Sequence, residues 1–442
     1  MKRCLIIGGG LAGLTAASIL SQKNISVTLI ESSPKLGGRT YSFFDKETNS
    51  IIDNGQHILM GCYKETISFL RLIGAENNFD YQKNLYLIFI SRDKNQFKID
   101  ASKLFYPFNL LYAIINYDAF TVKDKLSFIS FLIKLPFISK KSLNRLNVKD
   151  WLERENQNQT LIKNFWEILC VGALNTNLEK ASAIIFYDVL IEIFFKGNFA
   201  STIILPKFGL SESIINPAQE FIKKNNGQII LSETVKEIVI ENQKVLALKT
   251  DNNDYTDFDN VISAIPLYAL EKIISKKTLD INLEPALLAD RLELKLDLEL
   301  NYSTILNIHI WLSENKLEEK FYGLLDSPLH WIFVKENHIN IVISDADNLA
   351  EKSKEEIFDF VTDELSQFTS INKSDVLNYK IIKEKRATFV PTIDILDKRP
   401  NSKTEIKNFF LAGDWVNTGL PSTIESAVKS GRIAAELIMN EN

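Results

Sequence analysis

Three closely spaced glycines, an acid eighteen residues beyond them and a Gln-His pair further on are the residues of this chain whose types and spacing could do chemistry. Gly8, Gly10 and Gly13 spell G-x-G-x-x-G directly after the apolar run 4–7, and residues 14–20 continue as an apolar, alanine-rich helix. Gly8 permits a tight turn, Gly10 lets a pyrophosphate approach the backbone, and Gly13 lets helix and strand pack closely. The N–H groups of Leu11, Ala12 and Gly13, at the positive end of the helix dipole, then make a ready phosphate site. Glu31 closes a second apolar run, 27–30. A carboxylate there accepts both ribose hydroxyls and repels a 2′-phosphate. Strand, turn, helix, strand and acid in this order predict a bound adenine dinucleotide.

Gly37-Gly38-Arg39 follows six to eight residues after Glu31, where a plain nicotinamide domain needs no second glycine pair. This resembles FAD-binding proteins of the glutathione-reductase type, in which such a pair lets another backbone segment approach the cofactor beside an arginine. The apolar run 409–412 ends at Gly413 and Asp414, and residues 421–425 open a helix that runs to about Met439. In flavoproteins of this type the acid binds cofactor hydroxyls, and the helix N-terminus faces the flavin pyrimidine ring, where it stabilises negative charge. The cofactor implied is FAD, held by Gly8, Gly10, Leu11, Ala12, Gly13, Glu31, Gly37, Gly38, Arg39, Val235, Gly413, Asp414, Thr423 and Ile424. No cysteine stands near Gly413, where covalently flavinylated amine oxidases carry one, so attachment is expected to be non-covalent.

Such a site needs a fold that brings the first forty and last thirty residues together. The fold class expected is α/β: a Rossmann-like FAD-binding domain of glutathione-reductase type, interleaved with a mixed α+β substrate domain. The cofactor domain is assigned residues 1–75, 205–266 and 390–442. It includes a helix near 210–225, strands at Gln228–Leu231, Val235–Glu241 and Lys244–Thr250, and the apolar run 260–265. Insertions 76–204 and 267–389 are assigned to the substrate domain, the second with a strand at 304–312 and an amphipathic helix near 352–368. A length of 442 residues suits at least two domains. Net charge −5 argues against a nucleic-acid partner. Cys4, Cys62 and Cys170 lie far apart with no C-x-x-C, so neither a disulfide framework nor a zinc site is indicated, and no metal is expected.

Residues 104–117 run without a charge and carry Phe105, Tyr106, Pro107, Phe108 and Tyr112, with further apolar stretches at 126–133 and 135–138. One reading is an ordinary helical core. The other, favoured by Lys103, Lys123, Lys125 and Lys134 nearby, is a membrane-surface or tunnel-lining segment over 104–138.

Residues 52–63, Ile-Asp-Asn-Gly-Gln-His-Ile-Leu-Met-Gly-Cys-Tyr, resemble the Asp-Asn-Gly-Gln-His block of the squalene-associated FAD-dependent desaturase family. Its members are hydroxysqualene dehydroxylases of bacterial squalene and hopanoid synthesis, within the amine oxidase and phytoene desaturase superfamily. Similar blocks recur at 170–176, at Leu205-Pro206-Lys207, at His330-Trp331-Ile332-Phe333, and from Ala412-Gly413-Asp414-Trp415 through Thr418-Gly419-Leu420-Pro421. The likeness spans essentially the whole chain; Asn177-Leu178 departs from it, where proline is expected.

The resemblance implies reductive removal of a hydroxyl from an allylic carbon of a C30 isoprenoid, hydroxysqualene, to give squalene, in an apolar site that excludes water. His57 is then the first candidate for the acid that protonates the departing hydroxyl, with Gln56 orienting that hydroxyl and Asp53 holding His57 charged. The competing reading has Asp53 and Gln56 only satisfying backbone and flavin amide groups. At about 0.8 kcal/mol per buried CH₂, a thirty-carbon chain prefers hydrocarbon to water by roughly 20 kcal/mol. A cytoplasmic enzyme held peripherally at the inner membrane face is therefore expected. With a single dinucleotide fingerprint, an external electron donor is needed. Alternatives are a carotenoid or other isoprenoid desaturase running the flavin oxidatively, a flavin amine oxidase, and a non-redox prenyl-lipid escort.

Overall fold

The computed structural model describes residues 2–274, 299–336 and 338–440. Part of the second insertion, 275–298, thus lies outside the described residues. Arg3–Ile7 forms a strand at the middle of a five-stranded sheet. Across this sheet the order is Gln228–Leu231, Ser26–Glu31, Arg3–Ile7, Asn260–Ser263 and Phe409–Leu411, every pair parallel. Both faces are covered, which is why Cys4–Ile7 and 261–263 read as unbroken small or apolar runs rather than alternating ones. Sheet pairing thus sets the first glycine turn one strand away, across Asn260–Ser263, from Phe409–Leu411, which leads into Gly413 and Asp414.

Helix α1 (Leu11–Gln22) packs against the last helix, Ile424–Asn440. Their contact depends on Gly431, where a Cβ would stand 2.2 Å from the Ala12 carbonyl oxygen. Helix α2 (Lys64–Leu72) joins the same layer. The expected helix near 210–225 is present as a π turn, Ser211–Ile215, followed by an α-helix, Asn216–Lys224. Pro217 explains the break in regularity: it has no N–H to give to the preceding turn.

A second sheet of seven strands faces the cofactor domain's loops. Its order is Val376–Phe389, Tyr302–Leu312, Ile339–Ile343, Trp331–Val334, Phe321–Leu324, Tyr86–Ile90 and Gln96–Asp100. Strands from both insertions share this sheet. Its pairs are antiparallel except where Phe321–Leu324 meets Tyr86–Ile90. Between residues 101 and 195 the chain is helical, including α3 (Phe108–Ile115) and α4 (Val122–Lys134). Thr121 and Asp124 form a capping box that fixes where α4 starts. Its inner residues Phe128 and Phe131 pack on fully buried Trp151 and Trp166. The α/β arrangement and the mixed second layer match the fold class expected from the sequence.

Candidate active site

The first glycine turn is built to receive an anion. Helix α1 starts at Gly10 with no side-chain cap and no acid in its first turn, and its first bond runs from the Leu14 N–H to the Gly10 carbonyl at 2.9 Å. The N–H groups of Leu11, Ala12 and Gly13 are therefore left for a phosphate. Open space faces Gly10, where a Cβ would meet nothing within 4 Å. Gly38 approaches the same turn, its Cβ direction lying 3.3 Å from the Gly10 Cα, and the Gly37 N–H donates to the Gly9 carbonyl at 2.8 Å. Glu31 accepts from the Gly9 N–H at 2.6 Å and the Ser33 N–H at 2.8 Å, so the acid also braces the turn. Val235 is buried at the head of a three-stranded sheet, two residues past Glu233, whose N–H donates to the Glu31 carbonyl at 3.1 Å.

Residues far apart in sequence close the cradle. Arg39 donates to Asp414 Oδ1 at 2.7 Å and to the Ala387 carbonyl at 2.6 Å, tying the second glycine pair to the last parallel strand and to the seven-stranded sheet. Burial alone would push the Asp414 carboxyl up, but Arg39 and Ser422 more than offset it and hold the group below the usual carboxylate range. Gly413 donates its N–H to Ser430 Oγ at 2.7 Å, and Thr423 Oγ1 accepts from the Ser426 N–H at 3.2 Å as the last helix starts at Ile424. Gln56 Oε1 is among the buried acceptors that have no partner among the described residues. Free N–H donors, open space at Gly10 and this orphaned amide oxygen are what an absent dinucleotide with hydrogen-bonding ring edges would satisfy. The residues present fit FAD.

The Asp53–His57 loop behaves differently from the sequence expectation. Asp53 accepts from Ser42 Oγ at 2.7 Å and the Leu210 N–H at 2.9 Å, and lies 4.0 Å from Lys335 Nζ. It is committed to the protein rather than to the His57 ring. Desolvation pushes the His57 imidazole down to about 4, with Arg39 adding to the effect; the Asp53 charge and the Arg39 carbonyl oppose it only in part. Burial therefore works against the charged form that an acid role for His57 requires. Behind the loop, His309 Nε2 lies 3.2 Å from the Asp53 carbonyl and His309 Nδ1 lies 3.0 Å from His338 Nε2, a buried pair that holds the loop's backbone.

The greasy elements enclose a chamber. A cavity of about 530 Å³ is walled by Phe89, Phe165 and Trp331, by Ile58, Met60 and Tyr63, and by the inner sides of α3 (Leu110, Ala113, Ile114) and α4 (Leu132). It reaches residues 418–421 and Thr423, just before the last helix. Asp53, Gln56 and His57 are not on its wall. Among the wall's hydroxyls, Thr418 is engaged with Ser426 at 2.7 Å and Thr423 with Pro421 and Ser426, whereas the Tyr63 hydroxyl bonds nothing among the described residues. Burial, with Cys62 and Glu425 adding, holds that phenol well above its ordinary range, so it stays protonated.

The family model for flavin containing amine oxidoreductases matches residues 11–439. The chain belongs to that family. It is an FAD-dependent oxidoreductase. Among curated relatives it is 29% identical over 442 residues to the hydroxysqualene dehydroxylase of Zymomonas mobilis, covering 99% of both chains. It is 25% identical to that of Rhodopseudomonas palustris, covering 99% of this chain and 98% of the relative. It is also 23% identical to the 15-cis-phytoene desaturase of an Oncidium hybrid, across 99% of this chain and 78% of the relative. Among solved structures, an oxidoreductase from Methanosarcina mazei superposes with a TM-score of 0.74 at 18% identity, covering 98% of this chain and all of that one. Putrescine oxidase bound to putrescine gives 0.70 at 14%, with 99% of each chain covered. These two establish the fold.

Two residues of the site escaped the sequence reading. Arg399 donates to the carbonyls of Leu420 at 2.7 Å, Asp414 at 2.9 Å and Trp415 at 3.2 Å, and also to that of Val416. A lone arginine after Asp397-Lys398 carries no local signal of such a role. Glu425 accepts from the Glu65 and Thr66 N–H groups, both at 2.9 Å, clamping the start of α2 to the last helix; the E-S-A run offered only a first-turn acid. The expectation of non-covalent flavin has a direct check. Acid precipitation of the purified protein should leave the yellow colour in the supernatant, and colour retained in the pellet would show a covalent bond.

Proposed function

We propose that this enzyme removes the hydroxyl of hydroxysqualene reductively, giving squalene. The observation that carries the proposal is the chamber: a mostly apolar cavity of about 530 Å³ that runs from the start of the last helix to the helices α3 and α4. That volume lies inside the roughly 300–1,000 Å³ range of small-molecule sites. Aromatic and aliphatic carbon makes up most of the wall, and charged side chains such as Lys140 and Asp188, paired with each other, stand among it. The names of the two bacterial relatives, aligned over nearly their full length, point the same way.

Overall, a C–O bond breaks, the hydroxyl leaves as water with one added proton, and the carbon takes a hydride. Reduced FAD, when bound, supplies that hydride. The wall's duty is to keep water from an allylic cation, and aromatic residues line it, Phe89 and Trp331 among them, a ring type whose face favours positive charge. Tyr63 is the hydroxyl placed to hydrogen-bond the departing oxygen, because it is on the wall, protonated and without a partner among the described residues. Tyr63→Phe should retain flavin and lower turnover by about 10²-fold or more. His57→Asn should leave the shape of the pH profile between pH 5 and 8 unchanged, since a group titrating near 4 is already neutral there. A rate that falls as pH rises through 6–7 in the parent, and no longer does in His57→Asn, would return the acid role to His57.

The chamber itself is tested by filling it. Gly172 sits on the wall with Trp331 Nε1 3.5 Å from its Cβ direction. Gly172→Phe should bind FAD normally and yield little or no squalene from hydroxysqualene. Full turnover in that variant would place the substrate elsewhere.

A further inference from the structure

The outer faces of α3 and α4 also carry apolar residues, joined on α4 by Lys123, Ser130 and Lys134. On α3, Phe108, Leu111, Tyr112 and Ile115 fall at i, i+3, i+4 and i+7 and are exposed. Val122, Leu126 and Ile133 on α4 do the same at i, i+4 and i+11. Phe105 (73% exposed) and Phe137 (85%) flank the two helices. Water-facing aromatic side chains this open mark a surface that is covered in use.

Charge identifies the cover. Residues 101–147 hold seven basic residues and two acids, in a chain whose net charge is −5. One of the two acids, Asp124, is buried in the α4 capping box, while Lys103, Lys123, Lys134, Lys140 and Lys141 are exposed. A second copy would set two such positive faces against each other, and they would repel. An anionic surface with a hydrocarbon interior satisfies both features at once. No helix among the described residues is long and apolar enough to cross a membrane, so contact is by lying on it.

We propose that α3, α4 and the turns around Phe105 and Phe137 dock on an anionic phospholipid bilayer, with the aromatic rings in the acyl region and the lysines at the headgroups. The helices' inner sides, through Ala113, Ile114 and Leu132, line the chamber. Docking therefore sets the bilayer and the chamber on opposite sides of one helical layer. An apolar molecule crosses that layer without passing through water. Beside it, Lys140 pairs with Asp188 at 2.5 Å, and both line the cavity, so the chamber's polar edge lies next to the basic headgroup face.

The test needs no substrate, so its outcome is separate from that of the proposed reaction. FAD-loaded protein is floated with vesicles of phosphatidylcholine alone or with phosphatidylglycerol added. It should float with the anionic vesicles, and less so in high salt. Phe105→Asp with Phe108→Asp should weaken that partition about tenfold or more, and Lys123→Gln with Lys134→Gln should remove the preference for phosphatidylglycerol. Phe137→Ser, a single change at the most exposed ring, serves if the double variant loses its flavin. No flotation with anionic vesicles, equal partition on both vesicle types, or variants that float like the parent would each overturn the proposal. So would a parent dimer in gel filtration that these variants dissolve while flotation is unchanged.

Discussion

Gly13→Ala should give protein that is colourless after gel filtration and less stable than the parent. A Cβ at Gly13 lies 2.0 Å from the Gly8 carbonyl oxygen and 3.3 Å from the Ala264 Cβ. Contacts under 3.0 Å do not occur in real Cβ environments, so helix and turn must part by about 1 Å. Overpacking of this kind costs about 1–3 kcal/mol. Parting also misaims the Leu11, Ala12 and Gly13 N–H groups, and anion binding at a helix start depends on their convergence. FAD affinity should fall about 100-fold or more, equivalent to roughly 3 kcal/mol. Gly172→Ala is the matched control. Its nearest neighbour is at 3.5 Å, and it should stay yellow. Yellow, stable Gly13→Ala protein would show that the turn does not carry the phosphate.

Arg399→Met should be the most destabilising single change on the cofactor side that alters no glycine. Its guanidinium, pushed down to about 10 by burial, is the partner of four carbonyl oxygens between Asp414 and Leu420. Methionine fills much of the volume and satisfies none of them. Each buried acceptor left alone costs about 1–3 kcal/mol; since some will recover water, a net loss of at least about 3 kcal/mol is expected. The segment also carries Asp414, so FAD binding should fail with it. Lysine should not rescue, because one ammonium cannot span four carbonyls held by a planar fork. Urea unfolding followed by flavin fluorescence checks both effects. An unchanged midpoint with full flavin would mean the loop holds itself.

How much of this could be read beforehand depended on the range of the interaction. The glycine turn, Glu31 and the parallel strands are local: four apolar residues, a turn and a helix start within thirteen positions. Gly413-Asp414 was legible as a strand end, but its partner Arg39 lies 375 residues away and was reached only through likeness to a known type of flavoprotein. For His57, residue type suggests a group titrating near neutrality, while burial in the folded chain, which the sequence does not display, pushes it down. Arg399 and Glu425 gave no signal, since their partners are backbone groups that become neighbours only on folding. The run 104–117 shows the limit most plainly. Its composition fits core, chamber wall or membrane face, and the folded chain uses α3 for a chamber wall on one side and leaves apolar residues exposed on the other.

The most direct measurement is an anaerobic single turnover. The yellow protein is reduced with dithionite and mixed with hydroxysqualene; flavin absorbance is followed and the lipid extracted. Reoxidation of the flavin with one squalene formed per flavin is the expected result. Flavin that stays reduced, with the alcohol recovered intact, would contradict reductive dehydroxylation and favour an oxidative reaction on another isoprenoid in the same chamber.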